Sequence, residues 1–214
     1  MVRYIALGRS PRDSRPLLKR YKSPHEIRDI FVLDGLRLRS GEIYYFYEAS
    51  ESWMPIAFYL ISFDIEGHES KAYSIIKEDM MFNACAYVDL STYVCPHEVE
   101  IPEADRVEAF WVRPLGKARE YLKERFIDTF EFLIDTLAKM VDKVENADRR
   151  ANRLRRVAER RLATVPVVIS IFKRYKEKFE SIDLKVEDVI ENIESSAEEL
   201  RKALHKKWGQ GKSV

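Results

Sequence analysis

Beginning at Phe130, apolar or small side chains recur at Leu133, Leu137, Met140, Val144, Ala147, Ala151, Leu154 and Ala158. The steps alternate three and four throughout. Only a helix gathers residues so spaced onto one stripe, and an apolar stripe of that length must lie against another helix. Leu122 and Phe126 carry the stripe upstream, and no glycine interrupts residues 117–208. The spacing predicts one helix from about Lys117 to Ala163, roughly 70 Å long, which Pro166 breaks or kinks. A second apolar face follows at Val168, Phe172, Tyr175 and Phe179, up to an interruption at Ser181–Ile182–Asp183. A third carries Ile190, Ile193, Ala197, Leu200 and Leu204. Residues 114–214 therefore read as a long, extended helical hairpin or three-helix coiled-coil region.

Upstream the periodicity changes. Residues 1–22 are basic, contain Pro11 and Pro16, and read as an irregular N-terminal arm. Ser23, Pro24 and Glu26 form a capping box that starts a helix running to about Leu33, which Gly35 closes. Stretches rich in aromatic and β-branched residues at 42–49, 55–65, 84–94 and 106–112 predict strands. A further strand at 69–76 is expected to form a hairpin with 55–65 about Glu66–Gly67–His68, and 77–83 a short helix. The fold class is thus α+β: a small, mostly antiparallel sheet head (residues 23–113) followed by the helical region.

Charged residues make up 34% of the chain, yet they nearly cancel to a net +1. Their distribution is uneven: residues 1–40 carry +6, residues 41–114 carry −10, and residues 115–214 carry +5. A polyanion would meet the two ends in preference to the middle. One Gln and four Asn among so many charges fit a protein from a hyperthermophile. The start of the chain lacks the apolar core of a secretory leader, and no apolar run approaches the ~20 residues of a membrane helix. A cytoplasmic protein without membrane partners is expected. Cys85 and Cys95 are too few for a disulfide scaffold; they read as core thiols, with a bridge between them left open.

Seven of the fourteen residues 148–161 are arginine. On a continuous heptad Arg149, Arg153, Arg156 and Arg160 share one stripe facing away from the apolar seam, about 16 Å long. Arg150 and Arg155 flank the seam, and Arg161 falls within it. Glu187, Glu191, Glu194 and Glu198 repeat the same 4, 3, 4 spacing in the third helix. Matched stripes of opposite sign suit a helix–helix clasp, within one chain or between copies of it. The expected function is that of a non-enzymatic assembly protein, joining itself or another protein through this stalk. The alternative is a nucleic-acid-binding protein, because guanidinium forks pair bidentately with phosphate. Arg9, Arg12 and Arg15 of the arm would then follow the DNA or RNA backbone.

Signals for catalysis are sparse. Asp64, Glu66 and His68 would share a face only on an unbroken strand, which Gly67 interrupts. Asp64 with Glu69–Ser70–Lys71 resembles the Asp…Glu-x-Lys arrangement of metal-dependent nucleases. Only four residues separate Asp64 from Glu69, and no proline precedes the Asp, both departures from that family. Cys85, Cys95 and His97 have no zinc-site spacing. Neither a phosphate loop nor a nucleophile elbow occurs, so no catalytic residue, cofactor or metal is expected.

Overall fold

The computed structural model describes residues 3–9, 16–26, 43–65, 70–89, 91–102, 104–148 and 150–209. Seven strands form one sheet: β1 (Tyr4–Arg9), β2 (Pro16–Tyr21), β3 (Ile43–Glu48), β4 (Phe58–Asp64), β5 (Ala86–Asp89), β6 (Thr92–Cys95) and β7 (Arg106–Pro114). Their order is β2-β1-β3-β7-β4-β6-β5, and every neighbouring pair is antiparallel. Helix α1 (Ser70–Phe82) separates β4 from β5. After β7 come α2 (Lys117–Asn146), α3 (Asn152–Arg174), the short α4 (Lys176–Glu180) and α5 (Val186–Trp208). The class is α+β, an antiparallel sheet followed by long helices, as the sequence predicts.

Strand alternation sends side chains to two cores. Ile5, Phe46, Phe58, Leu60, Val94 and Val112 face α2 and continue without a break into Leu122, Phe126 and Phe130, then into the interior of the bundle. The opposite face, with Ile61, Phe63, Tyr93 and Cys95, is covered by Ile76 and Met80 of α1 and by Val99 and Ile101. The helices therefore grow from the sheet's own core. Phe130 of α2 meets Phe172 of α3 at 4.7 Å, and Lys207 near the end of α5 donates to the Glu145 carbonyl near the end of α2. So α2 and α5 run parallel, with α3 antiparallel to both.

Several expectations need correction. Residues 4–9 and 16–21, read as an irregular arm, are the paired strands β1 and β2. Apolar Ile5 and Leu7, with Ala6 between them, are buried, and β1 is held by β3 as well. The helix expected at 24–33 is seen over Pro24–Glu26; its remainder lies outside the described residues. Of the strand expected at 69–76, residues 70–76 are the first half of α1, and the short helix expected at 77–83 is its second half, to Phe82. The strand expected at 84–94 is the hairpin β5–β6, because Ser91 adopts a left-handed turn conformation (φ 59°) that no glycine advertised.

The continuous helix expected over 117–163 ends at Asn146. The Asn146 side chain donates to the Asp142 carbonyl, Asp148 Oδ1 accepts the Arg150 N–H, and the chain restarts at Asn152. Asn and Asp side chains compete in this way with helical hydrogen bonds. The turn folds one half of the heptad back on the other: Leu133, Leu137, Met140 and Val144 are buried within the chain rather than against a partner. Pro166 lies inside α3 and does not end it. Packing of Val165, Val168 and Phe172 on the core outweighs the one lost helical hydrogen bond.

Cys85 and Cys95 are joined by a disulfide, so the reading as free thiols is corrected. They sit opposite each other just beyond the Ala86–Val94 pair of the β5–β6 ladder, with Cα atoms 4.2 Å apart. A bridge across so short a loop restricts the unfolded chain by an amount worth about 2–3 kcal/mol. Urea midpoints measured with and without a reductant should differ accordingly; equal midpoints would show that the bridge contributes nothing.

Candidate polyanion interface

The sequence stripes come apart on the helices. Arg149 lies outside the described residues, as do Arg12 and Arg15; Arg9 ends β1, and its side chain is outside them too. Arg153, Arg156 and Arg160 project from the outer face of α3, all exposed, across about 10 Å of helix. None of these three makes an ion pair among the described residues. Arg155, expected to pair between helices, binds Glu159 of its own helix at 2.8 Å.

The acidic stripe does not meet them. Glu187 pairs with Lys176, whose ammonium holds the carboxyl below its ordinary range. Glu198 pairs with Arg201 one turn on. Glu194 and Glu198 line a groove of about 630 Å³ between α3 and α5, where they face Lys173 and Arg201. Since α3 and α5 are antiparallel, the arginines near the start of α3 lie opposite the end of α5, away from Glu187 and Glu191 at its start. Among the described residues no arginine of the first stripe pairs with a glutamate of the second.

Arg161 follows the stripe directly and turns the other way, pairing with Glu78 of α1 at 3.6 Å. With Lys77, Lys139 and Lys143 it lines a cleft of about 280 Å³ where α1, α2 and α3 meet. This cleft adjoins a second compartment of about 180 Å³ beside the β5 edge, lined by Tyr87, Tyr93, Arg125 and Phe132. Phe132, Lys77 and Met81 border both. Sequence reasoning missed this surface, because its cations come from three helices and share no short-range spacing.

One buried cation lies elsewhere. Lys178 of α4 is only 5% exposed; its Nζ donates to the Ala57 carbonyl and sits 4.5 Å from the centre of the Trp111 ring and 5.4 Å from that of Tyr175. Burial pushes its pKa down from 10.5 to about 8. His97, stacked on Tyr175 at 5.6 Å, hydrogen-bonds the Glu98 carbonyl through Nδ1. With Cys85 and Cys95 committed to their bridge, the Cys–Cys–His set holds no thiolate for a metal. Among the described residues no three His, Cys, Asp or Glu side chains cluster as metal ligands would. Glu66, His68 and Glu69 lie outside those residues, and Lys71 is helical rather than on the strand the nuclease resemblance requires. No described helix is long and apolar enough to cross a membrane. No protein-family model, no curated protein and no solved structure matches the chain.

Proposed function

We propose that this protein binds polyanions, with the phosphate backbone of a nucleic acid as ligand, through the outer face of α3 and the basic cleft beside it. One observation carries the reading: Arg153, Arg156 and Arg160 are exposed without a carboxylate partner among the described residues, while the apolar seam beneath them is already buried in its own chain. An apolar seam of this kind is what draws a second helix into a coiled coil, and here it is used up internally. What remains outward is cationic. Planar guanidinium forks reach phosphate oxygens bidentately and without regard to base sequence.

Such binding releases counterions, so its logarithm falls with the logarithm of salt by about 0.9 per phosphate on duplex DNA and about 0.7 on a single strand. Three arginines alone predict a slope of roughly −2 to −3. The test is anisotropy titration of labelled DNA and RNA at several salt concentrations. The variant R153E/R156E/R160E should lose most of the affinity and flatten the slope by about that amount. Unchanged binding in the variant, or a slope near zero in the native protein, refutes the reading.

A second reading, self-association, has its own support. Val157 and Val167 are exposed on α3, and Glu191 and Glu194 of α5 have no ion-pair partner among the described residues. Arginines of one copy would then meet glutamates of another. Molar mass in solution decides it: an oligomer that dissociates at high salt, and in the same triple variant, without nucleic acid present, favours assembly.

A further inference from the structure

We infer that the two-part groove between α1 and α2 is a site for single-stranded nucleic acid, taking an unpaired base against Tyr87 and Phe132 and the adjoining phosphates on Lys139, Lys143 and Arg161. The inference rests on the polyanion reading above and gives it a ligand class.

The first argument is the aromatic half. Phe132 is 49% exposed and Tyr87 37%, on α2 and β5 respectively, and they line the same compartment. Lys77 Nζ lies 5.1 Å from the ring centre of Phe132 and 5.8 Å from that of Tyr87. A large apolar ring half in water beside a cation is what base-stacking surfaces use, since every base has a face to stack and a phosphate to neutralise. In a duplex those faces are covered by neighbouring bases, so only an unpaired strand can use them.

The second argument is charge. Four cations, Lys77, Lys139, Lys143 and Arg161, line the basic compartment against one carboxylate, Glu78, which Arg161 already engages. Lys139 also has Asp135 at 3.7 Å, an exposed pair that water and salt weaken. The excess of positive charge is what a run of phosphates complements.

A third observation is independent of both. Arg125 and Arg161, in the two compartments, each carry a buried Nε–H with no hydrogen-bond partner among the described residues. Their terminal nitrogens are held by Asp128 at 3.2 Å and Glu78 at 3.6 Å. An unmade hydrogen bond on a buried donor is costly, and a rotamer change toward the groove would give it to an anionic oxygen. The two compartments, of about 180 and 280 Å³, lie side by side along the groove. A strand lying along the groove needs to insert only one ring.

The experiment uses the full chain, labelled oligothymidylate, its duplex with oligoadenylate, and unlabelled inorganic polyphosphate as competitor. The single strand should bind more tightly than the duplex. Phe132→Ala should weaken single-strand binding by about 5- to 160-fold, the range for loss of one stacked base, with little effect on the duplex. Phe132→Trp should preserve it. Because Phe132 is half exposed, the thermal melt of either variant should match the native one. Lys139→Glu with Lys143→Glu should weaken every polymer. A silent Phe132→Ala, or polyphosphate displacing the strand as well as an equal amount of oligothymidylate phosphate does, overturns the inference. If the arginine triple variant still loses binding in that case, the α3 reading survives alone. If none of the polymers binds, both fall.

Discussion

Phe126→Ala should lower stability by about 3–5 kcal/mol, the usual cost of emptying an aromatic core site, and should lower sheet and helices together. Phe126 is fully buried on α2. Its ring lies 5.5 Å from Phe58 of β4, 5.9 Å from Phe130 and 5.2 Å from Phe179 of α4. Phe179 in turn meets Phe172 of α3 at 5.4 Å. One side chain thus touches the sheet, its own helix and the short helix at the sheet end of the bundle. Were the sheet and the helices separate cooperative units, the loss would fall on one of them. The expected result is a single urea transition, displaced to the same midpoint by far-ultraviolet circular dichroism and by tryptophan fluorescence in a Trp208→Phe background, where Trp53 and Trp111 report the sheet region. Two midpoints, with only one moved, would contradict a shared core.

The second large effect is a rise in stability with alkali. Lys178 titrates near 8 in the folded protein and near 10.5 once exposed. Below about pH 8 both states carry its proton, and the fold bears the whole penalty of a buried charge. Between about pH 8 and 10.5 the unfolded chain holds more protons than the folded one, so stability climbs as pH rises. From about pH 7.5 to about pH 9.5 the gain should be on the order of 1–2 kcal/mol. Higher pH confuses the measurement: burial holds the Tyr93 hydroxyl well above its ordinary range, so ionisation of the unfolded chain works against the fold there. Lys178→Met should flatten the curve between those two pH values. A native curve that falls over this window, or a variant that still climbs, would show that Lys178 is not the group responsible.

How far the chain could be read depended on the range of the interaction that decided each feature. The apolar stripe on α2 was legible because helix periodicity is local, and every buried position from Leu122 to Val144 was named from spacing alone. The turn at Ala147–Ala151 was not, because the apolar period runs straight through it; Asn146 and Asp148 carried the signal, and heptad counting looks past polar residues. Strands β1 and β2 were hidden by their own arginines and prolines, which read as an arm until β3 is seen to pair with β1. The four-arginine stripe assumed one unbroken rod, whereas one helix ends at Asn146 and the next begins at Asn152. The cleft of Lys77, Lys139, Lys143 and Arg161 had no signature, since its members are up to 84 positions apart along the chain. Lys178 looks like any lysine on a short helix; only the Ala57 carbonyl, 121 residues away, makes it unusual.

The place of β7 bears on how the protein can be made. It lies between β3 and β4, joining Phe46–Glu48 on one side to Phe58–Asp64 on the other. A ribosome delivers both flanking strands first, so the nascent sheet exists as two separate pieces with facing open edges until residue 114 has emerged. The inner face of those pieces stays uncovered until the helices follow. Assembly must therefore wait until β7 and the helices after it have emerged, and a chain stalled before the last strand presents two adhesive edges to its neighbours.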